Sequence, residues 1–132
     1  MGFDITLFRL INGLAGTNKV LDLIGIFLAN TLVYFLVLAA LFVILKDKDW
    51  KKKLYNLFFI GFTLLLSVGL VSHSIRSIYQ RVRPSLALEN VTVLVQKNFN
   101  EPSFPSNHAV FFFSLSVAIY FIDRKWFKYF LI

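Results

Sequence analysis

Several kinds of residue and pattern are absent from this 132-residue chain. It contains no cysteine, which excludes a disulfide framework, a thiol nucleophile and a thiolate metal site. It also has no internal repeat, low-complexity tract or linker, so we expect a single domain over residues 1–132. Acidic residues are few, 7 against 14 lysines and arginines. The basic residues stand at the ends of apolar runs rather than in a stripe with interleaved aromatics, which favours membrane anchoring over nucleic-acid binding.

Apolar residues, in contrast, are abundant. The hydrophobic fraction is 58%, with 16 phenylalanines and a mean hydropathy of +0.71. An ordinary soluble domain contains roughly 45 to 50% apolar residues. This composition predicts a membrane protein.

The apolar segments predict an all-α fold, a polytopic membrane helical bundle of about three spans. Residues 20–45 and 54–75 are each long enough to cross a hydrocarbon core of about 30 Å. A third helix is expected to begin at Ser106 or Asn107 and to end at Ile122. Residues 126–132 resemble the start of a fourth span.

Charged residues at the ends of these segments predict the topology. The basic loop at residues 46–53, which contains Trp50, and the charged residues 123–125 should both be cytoplasmic. The polar, proline-punctuated segment at residues 76–108 should therefore lie on the outer side. At the N-terminus, residues 3–12 place apolar side chains at helical spacing, which predicts an amphipathic helix in the membrane interface.

Arg76 precedes Arg83-Pro84 by seven positions. If the second helix continues to Arg83, this spacing is nearly two turns, offset by only about 20°, so both guanidinium groups would leave one face. They could then bind one phosphate. Pro84 disfavours helical geometry at Arg83, which would end the helix there. The alternative is that both arginines, like Arg81, simply extend their charges to the membrane interface.

A second motif, Pro105-Ser106-Asn107-His108, lies on the same predicted side. Ser106 is a candidate N-cap, and the helix start behind it would present free N–H groups to an anion. His108 can transfer a proton near neutral pH, although an interfacial histidine bonded to the backbone is the simpler alternative. Because both motifs fall on the same predicted side of the membrane, and in this order along the chain, they favour a phosphate site.

These residues resemble the motifs of the type 2 phosphatidic acid phosphatase superfamily. Its first motif is Lys or Arg, six residues, then Arg-Pro, and Arg76 with Arg83-Pro84 matches it. Its second motif is Pro-Ser-x-His, and Asn107 stands where Gly is most frequent. The segment before the first span, including Asn12-Gly13-Leu14, further resembles the bacterial undecaprenyl-diphosphatase branch linked to bacitracin resistance.

The resemblance implies metal-independent dephosphorylation of a lipid phosphate or diphosphate, without a cofactor, at the outer face of the cytoplasmic membrane. Arg76, Arg83, Ser106 and Asn107 would bind the phosphoryl group and stabilise charge on its oxygens. His108 would protonate the leaving lipid oxygen as general acid.

The family's third motif is missing from this sequence. That motif, Ser-Arg, five residues, His, three residues, Asp, supplies the nucleophilic histidine, and no histidine follows His108. His73 has the wrong spacing and is expected to be a packed or hydrogen-bonded helix residue.

Three explanations follow: a truncated gene product, a half-site that binds lipid phosphate without turnover, or a module completed by another polypeptide. Truncation is favoured because the final apolar run stops after seven residues. A different class of function, a small membrane adaptor or transport subunit, predicts no dependence on phosphate in anything that the protein binds.

Overall fold

The computed structural model describes residues 2–95 and 101–130, and every regular element within them is helical. The predicted all-α fold is therefore confirmed. In chain order the elements are α1 (Phe3–Asn12), α2 (Lys19–Asn30), α3 (Leu32–Leu45), α4 (Trp50–Leu64), a π-helical segment (Leu65–Ser72), α5 (His73–Ile78), α6 (Pro84–Ala87), α7 (Asn107–Ile122) and α8 (Arg124–Phe130).

The chain divides into two compact units. The first unit comprises Met1–Leu32 and Gln80–Ser103. Within it, Asn12 pairs with the backbone of Thr92 in both directions: its Nδ2 donates to the Thr92 carbonyl at 2.8 Å, and its Oδ1 accepts from the Thr92 N–H at 3.0 Å. Arg81 forms an ion pair with Asp4 of α1. The α1 helix occupies the residues that the sequence predicted.

The second unit, Val33–Tyr79 and Phe104–Ile132, is organised around α7. This helix contacts α4, the π-helical segment and α8. Its residues Leu115, Ala118 and Ile119 are buried with at most 1% of their surface exposed. The buried Ser116 hydroxyl donates to the carbonyls of Phe112, one turn earlier, and of Phe130 at the end of α8. The hydrogen bond to the Phe130 carbonyl holds the end of α8 against α7.

One continuous helix is clearly long enough to span a membrane. Among the described residues, Trp50–Ile78 forms a run of 29 residues, through α4, the π-helical segment and α5, that is long and apolar enough to cross a membrane. Helices α2 and α3 would add a second span if they cross as one. Helix α7 is apolar but has only 16 residues.

The first predicted span is interrupted, contrary to the expectation of one uninterrupted run over residues 20–45. Helix α2 ends at Asn30, and Thr31 donates its N–H to the Phe27 carbonyl to close the last turn. Asn and Thr side chains compete with the helical backbone for hydrogen bonds, and Thr is also β-branched. Two such residues in succession explain a break that hydropathy alone did not indicate.

The helix that contains the second predicted span does not continue to Arg83, so the condition for placing Arg76 and Arg83 on one helix face is not met. Helix α5 ends at Ile78, and Tyr79 is already extended, with φ −114° and ψ 90°. Beyond it the backbone bonds elsewhere, because the Arg81 carbonyl accepts from both the N–H and the hydroxyl of Ser103. Arg83 is extended, as expected before a proline, with φ −67° and ψ 139°.

Candidate functional site

The Pro105-Ser106-Asn107-His108 turn starts α7 as the sequence predicted. Ser106 is the N-cap, with an extended backbone at φ −70° and ψ 122°, and its hydroxyl accepts from the Ala109 N–H at 3.4 Å. The first N–H groups of a helix have no acceptor within it, so those of Asn107 and His108 are oriented toward the space before the helix. Ser106 and Asn107 are exposed there, where an anion could reach them.

Arg76 holds this turn from the neighbouring helix. Its Nε and Nη2 donate to the Pro105 carbonyl at 3.2 and 2.8 Å. Pro105 is buried and Arg76 is half-buried, so the contact is partly shielded from water. The guanidinium charge therefore lies directly beside the start of α7, where the helix dipole is also positive.

Ser72 is a further member of the site that the motifs did not indicate. It is 1% exposed, and its hydroxyl donates to the Asn107 Oδ1 at 3.3 Å. Ser72 stands four residues before Arg76, so both side chains leave α5 and the adjoining π-helical turn on the same side. The four-residue spacing between Ser72 and Arg76 was the sequence signal that could have identified Ser72 as a site residue. Asn107 is thus held through its carbonyl oxygen, with its Nδ2 as the donor group.

His108 is half-buried and its ring contacts the edge of Phe112, with the ring centroids 5.9 Å apart and the planes at 67°. It also borders a largely apolar cleft. The cleft is lined by Val33, Val68, Asn107, His108 and Phe111. A proton donor beside an apolar surface is an arrangement that suits a reaction at the end of a lipid chain.

Arg83 lies in the first unit, unlike the other four predicted residues. Its Nε donates to the Glu101 carbonyl at 2.9 Å, and its Nη2 is 3.8 Å from the Glu101 carboxylate. The structure therefore brings together Arg76, Ser106, Asn107 and His108 within one unit and gives Arg83 a separate set of contacts. Arg76 and Arg83 do not share one helix face, because α5 ends at Ile78, and their joint binding of one phosphate stays a prediction.

His73 is exposed on the first turn of α5. Of the two expected alternatives, a packed or a hydrogen-bonded helix residue, this exposure excludes the packed one, and His73 stands one position beyond Ser72. Among the residues that the structure describes, no group of three or more histidine, cysteine or acidic side chains is placed to hold a metal ion.

These contacts create a site with a definite chemical capacity. Two backbone N–H groups, a serine hydroxyl and a guanidinium surround the start of α7, and a histidine lies in the first turn. Such a set can bind a phosphoryl oxygen through charge-assisted hydrogen bonds and can exchange a proton with a bound group. Its donors are positioned by helix–helix packing rather than by a flexible loop.

Comparison with known proteins places these motifs in context. The model of the PAP2 superfamily matches residues 57–132. The chain is also 32% identical, over 123 residues, to the bacitracin transport permease protein BcrC of Bacillus licheniformis, an alignment that covers 92% of this chain and 58% of the relative. The chain thus spans less than two thirds of that relative's length. No solved structure matches it significantly.

Proposed function

Since this chain belongs to the PAP2 superfamily, we propose that it carries the phosphate-binding part of a lipid phosphatase. The substrate we infer is a polyprenyl diphosphate, undecaprenyl diphosphate, in the cytoplasmic membrane. The unit that acts would be one membrane-embedded domain over residues 1–132. No metal or cofactor is required by this proposal.

One observation carries the proposal: the double hydrogen bond from Arg76 to the Pro105 carbonyl. It joins the first family motif to the second, although 29 residues separate them. A guanidinium held solely for anchoring in the membrane interface would extend to water. Here it instead faces the turn whose N–H groups and Ser106 hydroxyl can bind phosphate.

Each group then has a role in the reaction. Arg76, Ser106 and the start of α7 bind the phosphoryl group and stabilise the charge that spreads over its equatorial oxygens. A histidine supplied with the third motif would attack the terminal phosphorus as its bond to the bridging oxygen breaks, and His108 would give its proton to that oxygen, which leaves as part of undecaprenyl phosphate. Water then releases phosphate from the phosphohistidine. Arg83, the second arginine of the motif, is proposed as a further phosphate ligand on the strength of the motif alone.

The nucleophile is the missing element of this scheme. The two histidines of the sequence are His73 and His108; His73 is exposed on α5, and neither has the spacing of the third motif. Without a nucleophile held near the phosphorus, both covalent catalysis and the advantage of proximity are lost. We therefore expect the 132-residue chain to bind lipid phosphate with little or no turnover.

Phosphate release from undecaprenyl diphosphate tests this directly. The purified chain should be inactive, and fusing a segment with the family's third motif after its last residue should create activity. In the fusion, His108→Ala should lower kcat by about 10² to 10⁴, and His73→Ala should leave it unchanged. Turnover by the chain alone that His73→Ala removes would contradict the assignment. A folded fusion that binds undecaprenyl diphosphate but releases no inorganic phosphate from it would contradict the phosphatase proposal.

The side of the membrane is a second part of the proposal. The basic loop between α3 and α4 should face the cytoplasm and the start of α7 the outer surface. In intact cells, Lys48→Cys should be protected from an impermeant thiol reagent, whereas Glu89→Cys should be labelled. Both substitutions are at exposed positions. The reverse pattern would place the phosphate site on the cytoplasmic side and exclude a substrate at the outer face.

A lipid-phosphate-binding protein without turnover is the second candidate. The observation that favours it is the set of donors at the start of α7, which can bind an anion without a nucleophile. The two candidates differ in one result: only the phosphatase gains activity when the third motif is added.

A further inference from the structure

The end of the second unit away from the start of α7 carries a concentration of basic and aromatic side chains. Helix α7 has 16 residues and therefore extends about 24 Å from Asn107 to Ile122. At its far end, the turn into α8 meets the end of α3, because the Lys46 ammonium lies 5.6 Å from the centre of the Trp126 ring. This surface is separate from the phosphate site.

Trp126 is the centre of this surface and is held by other rings. Phe42 of α3 meets it edge to face at 5.9 Å, and Tyr129 of α8 lies 5.7 Å away. Trp126 is half-buried, so its ring is oriented while part of it remains accessible. Tryptophan in this position is typical of the boundary between hydrocarbon and headgroups.

Three cations lie against aromatic rings at this end of the second unit. In addition to Lys46 on Trp126, the Arg124 guanidinium lies 4.9 Å from the Tyr120 ring and the Lys128 ammonium 5.1 Å from the Tyr129 ring. All three are exposed. One shallow depression on α8 is lined by Arg124, Lys125, Trp126, Lys128 and Tyr129.

The neighbouring carboxylates are engaged elsewhere. Asp47 accepts from the Lys52 ammonium at 2.6 Å, and this bond holds the pKa of Asp47 below its usual value. Asp123 accepts from the Lys125 N–H at 3.0 Å. Asp49 caps α4 by accepting from a backbone N–H at 2.9 Å.

The three cations thus remain available to an external anion. Among the described residues, Lys52 pairs with Asp47, Arg81 with Asp4 and Arg83 with Glu101. None of these three ion pairs includes Lys46, Arg124 or Lys128.

We propose that Lys46, Arg124, Trp126 and Lys128, here called the Trp126 cluster, bind the headgroup of an anionic phospholipid. The cations would contact the phosphodiester, and the rings of Trp126 and Phe42 would contact the upper acyl chains. A phospholipid fits this surface better than a soluble anion because charge and apolar rings are adjacent at the ends of apolar helices. The proposal does not depend on the phosphatase assignment, since the cluster shares no residue with the phosphate site.

Quenching of Trp126 fluorescence by brominated lipid provides the test. The full chain carrying Trp50→Phe is placed in phosphatidylcholine nanodiscs, so that Trp126 is the remaining tryptophan. Brominated phosphatidylglycerol, added at a low mole fraction, should quench Trp126 more strongly than brominated phosphatidylcholine at the same fraction. Lys46→Gln with Lys128→Gln should raise the phosphatidylglycerol fraction needed for half-quenching by about thirtyfold, the scale for losing two basic contacts with an anionic surface.

A charge-matched variant separates a built site from general surface attraction. Lys48→Gln with Lys51→Gln removes the same charge from exposed positions of the adjoining loop and helix. It should shift half-quenching less than threefold, because charge beyond the first contacts is screened by salt. Equal shifts in both double variants would overturn the proposal in favour of non-specific attraction. Equal quenching by the two lipids, or full competition by soluble glycerol phosphate, would overturn it as well. Circular dichroism should show unchanged helicity in each variant.

Discussion

Arg76 and Arg83 belong to one sequence motif but have different structural environments. Arg76 lies on α5, half-buried, with two of its nitrogens bonded to the Pro105 carbonyl. Arg83 lies on an extended segment of the other unit, and its partner is Glu101. The first arginine lies on a helix and contacts the turn that starts α7, whereas the second contacts Glu101 from an extended segment.

This difference shows that spacing in a motif does not by itself define a shared surface. Seven residues would bring two side chains to one face only if every intervening residue were helical. The chain leaves the helix at Tyr79. Geometry therefore supports a shared phosphate site for Arg76 and the start of α7, whereas a role for Arg83 rests on the family motif.

Replacing Arg76 should have the largest effect on phosphate binding. Arg76→Ala removes a cation beside the start of α7 and leaves the Pro105 carbonyl without this donor, so the affinity for a short-chain prenyl phosphate should fall by about 3 kcal/mol. Arg76→Lys keeps the charge without the planar fork and should lie between alanine and wild type. Isothermal titration calorimetry measures these affinities. Unchanged affinity in folded Arg76→Ala would refute the proposed site.

Replacing Arg83 tests the other half of the comparison. If Arg83 contributes a ligand, Arg83→Ala should weaken the same binding by about 1.5 to 3 kcal/mol, the scale of a hydrogen bond to a charged group. Arg81→Ala is the matched control, because Arg81 is a nearby arginine of the same unit that pairs with Asp4. It should change the affinity far less. Equal, small effects of both substitutions would assign both arginines to anchoring in the membrane interface.

Replacing Ser72 should have a smaller effect that separates positioning from direct binding. Ser72→Ala removes the buried hydroxyl that donates to Asn107, so phosphate affinity should fall by about 1 kcal/mol. Ser77→Ala is the matched control, because Ser77 is an exposed serine of α5 that bonds within its own helix, to the Ser74 carbonyl at 2.8 Å. If Ser77→Ala weakens phosphate binding as much as Ser72→Ala, the bond to Asn107 has no specific role.

Part of the fold and site was predictable from local sequence signals. The α7 helix begins behind its Ser106 cap and ends at Ile122, as expected, because capping and apolar length act within a few residues. The α1 helix and the extended backbone at Arg83 were predictable for the same reason. Membership of the PAP2 superfamily was likewise indicated by two short motifs, each of which is a local pattern of residues.

Other features were not predictable from the apolar pattern. The break at Thr31, which has a local cause, and the π-helical segment that ends at Ser72 are departures from a regular helix that hydropathy does not register. The π-helical segment also changes the number of residues per turn. A 3.6-residue period therefore cannot predict which side chains after this segment lie on the same helix face as those before it.

The sequence alone therefore determined that the chain is helical, apolar enough for a membrane, and equipped with two phosphate-type motifs. Tertiary structure decided which of their residues meet. Arg76 reaches Pro105, and Ser72 reaches Asn107, across 29 and 35 positions of sequence because the π-helical segment packs against α7. Periodicity and capping are local properties of the backbone, whereas a contact over that separation exists only once buried side chains have fixed the two helices side by side.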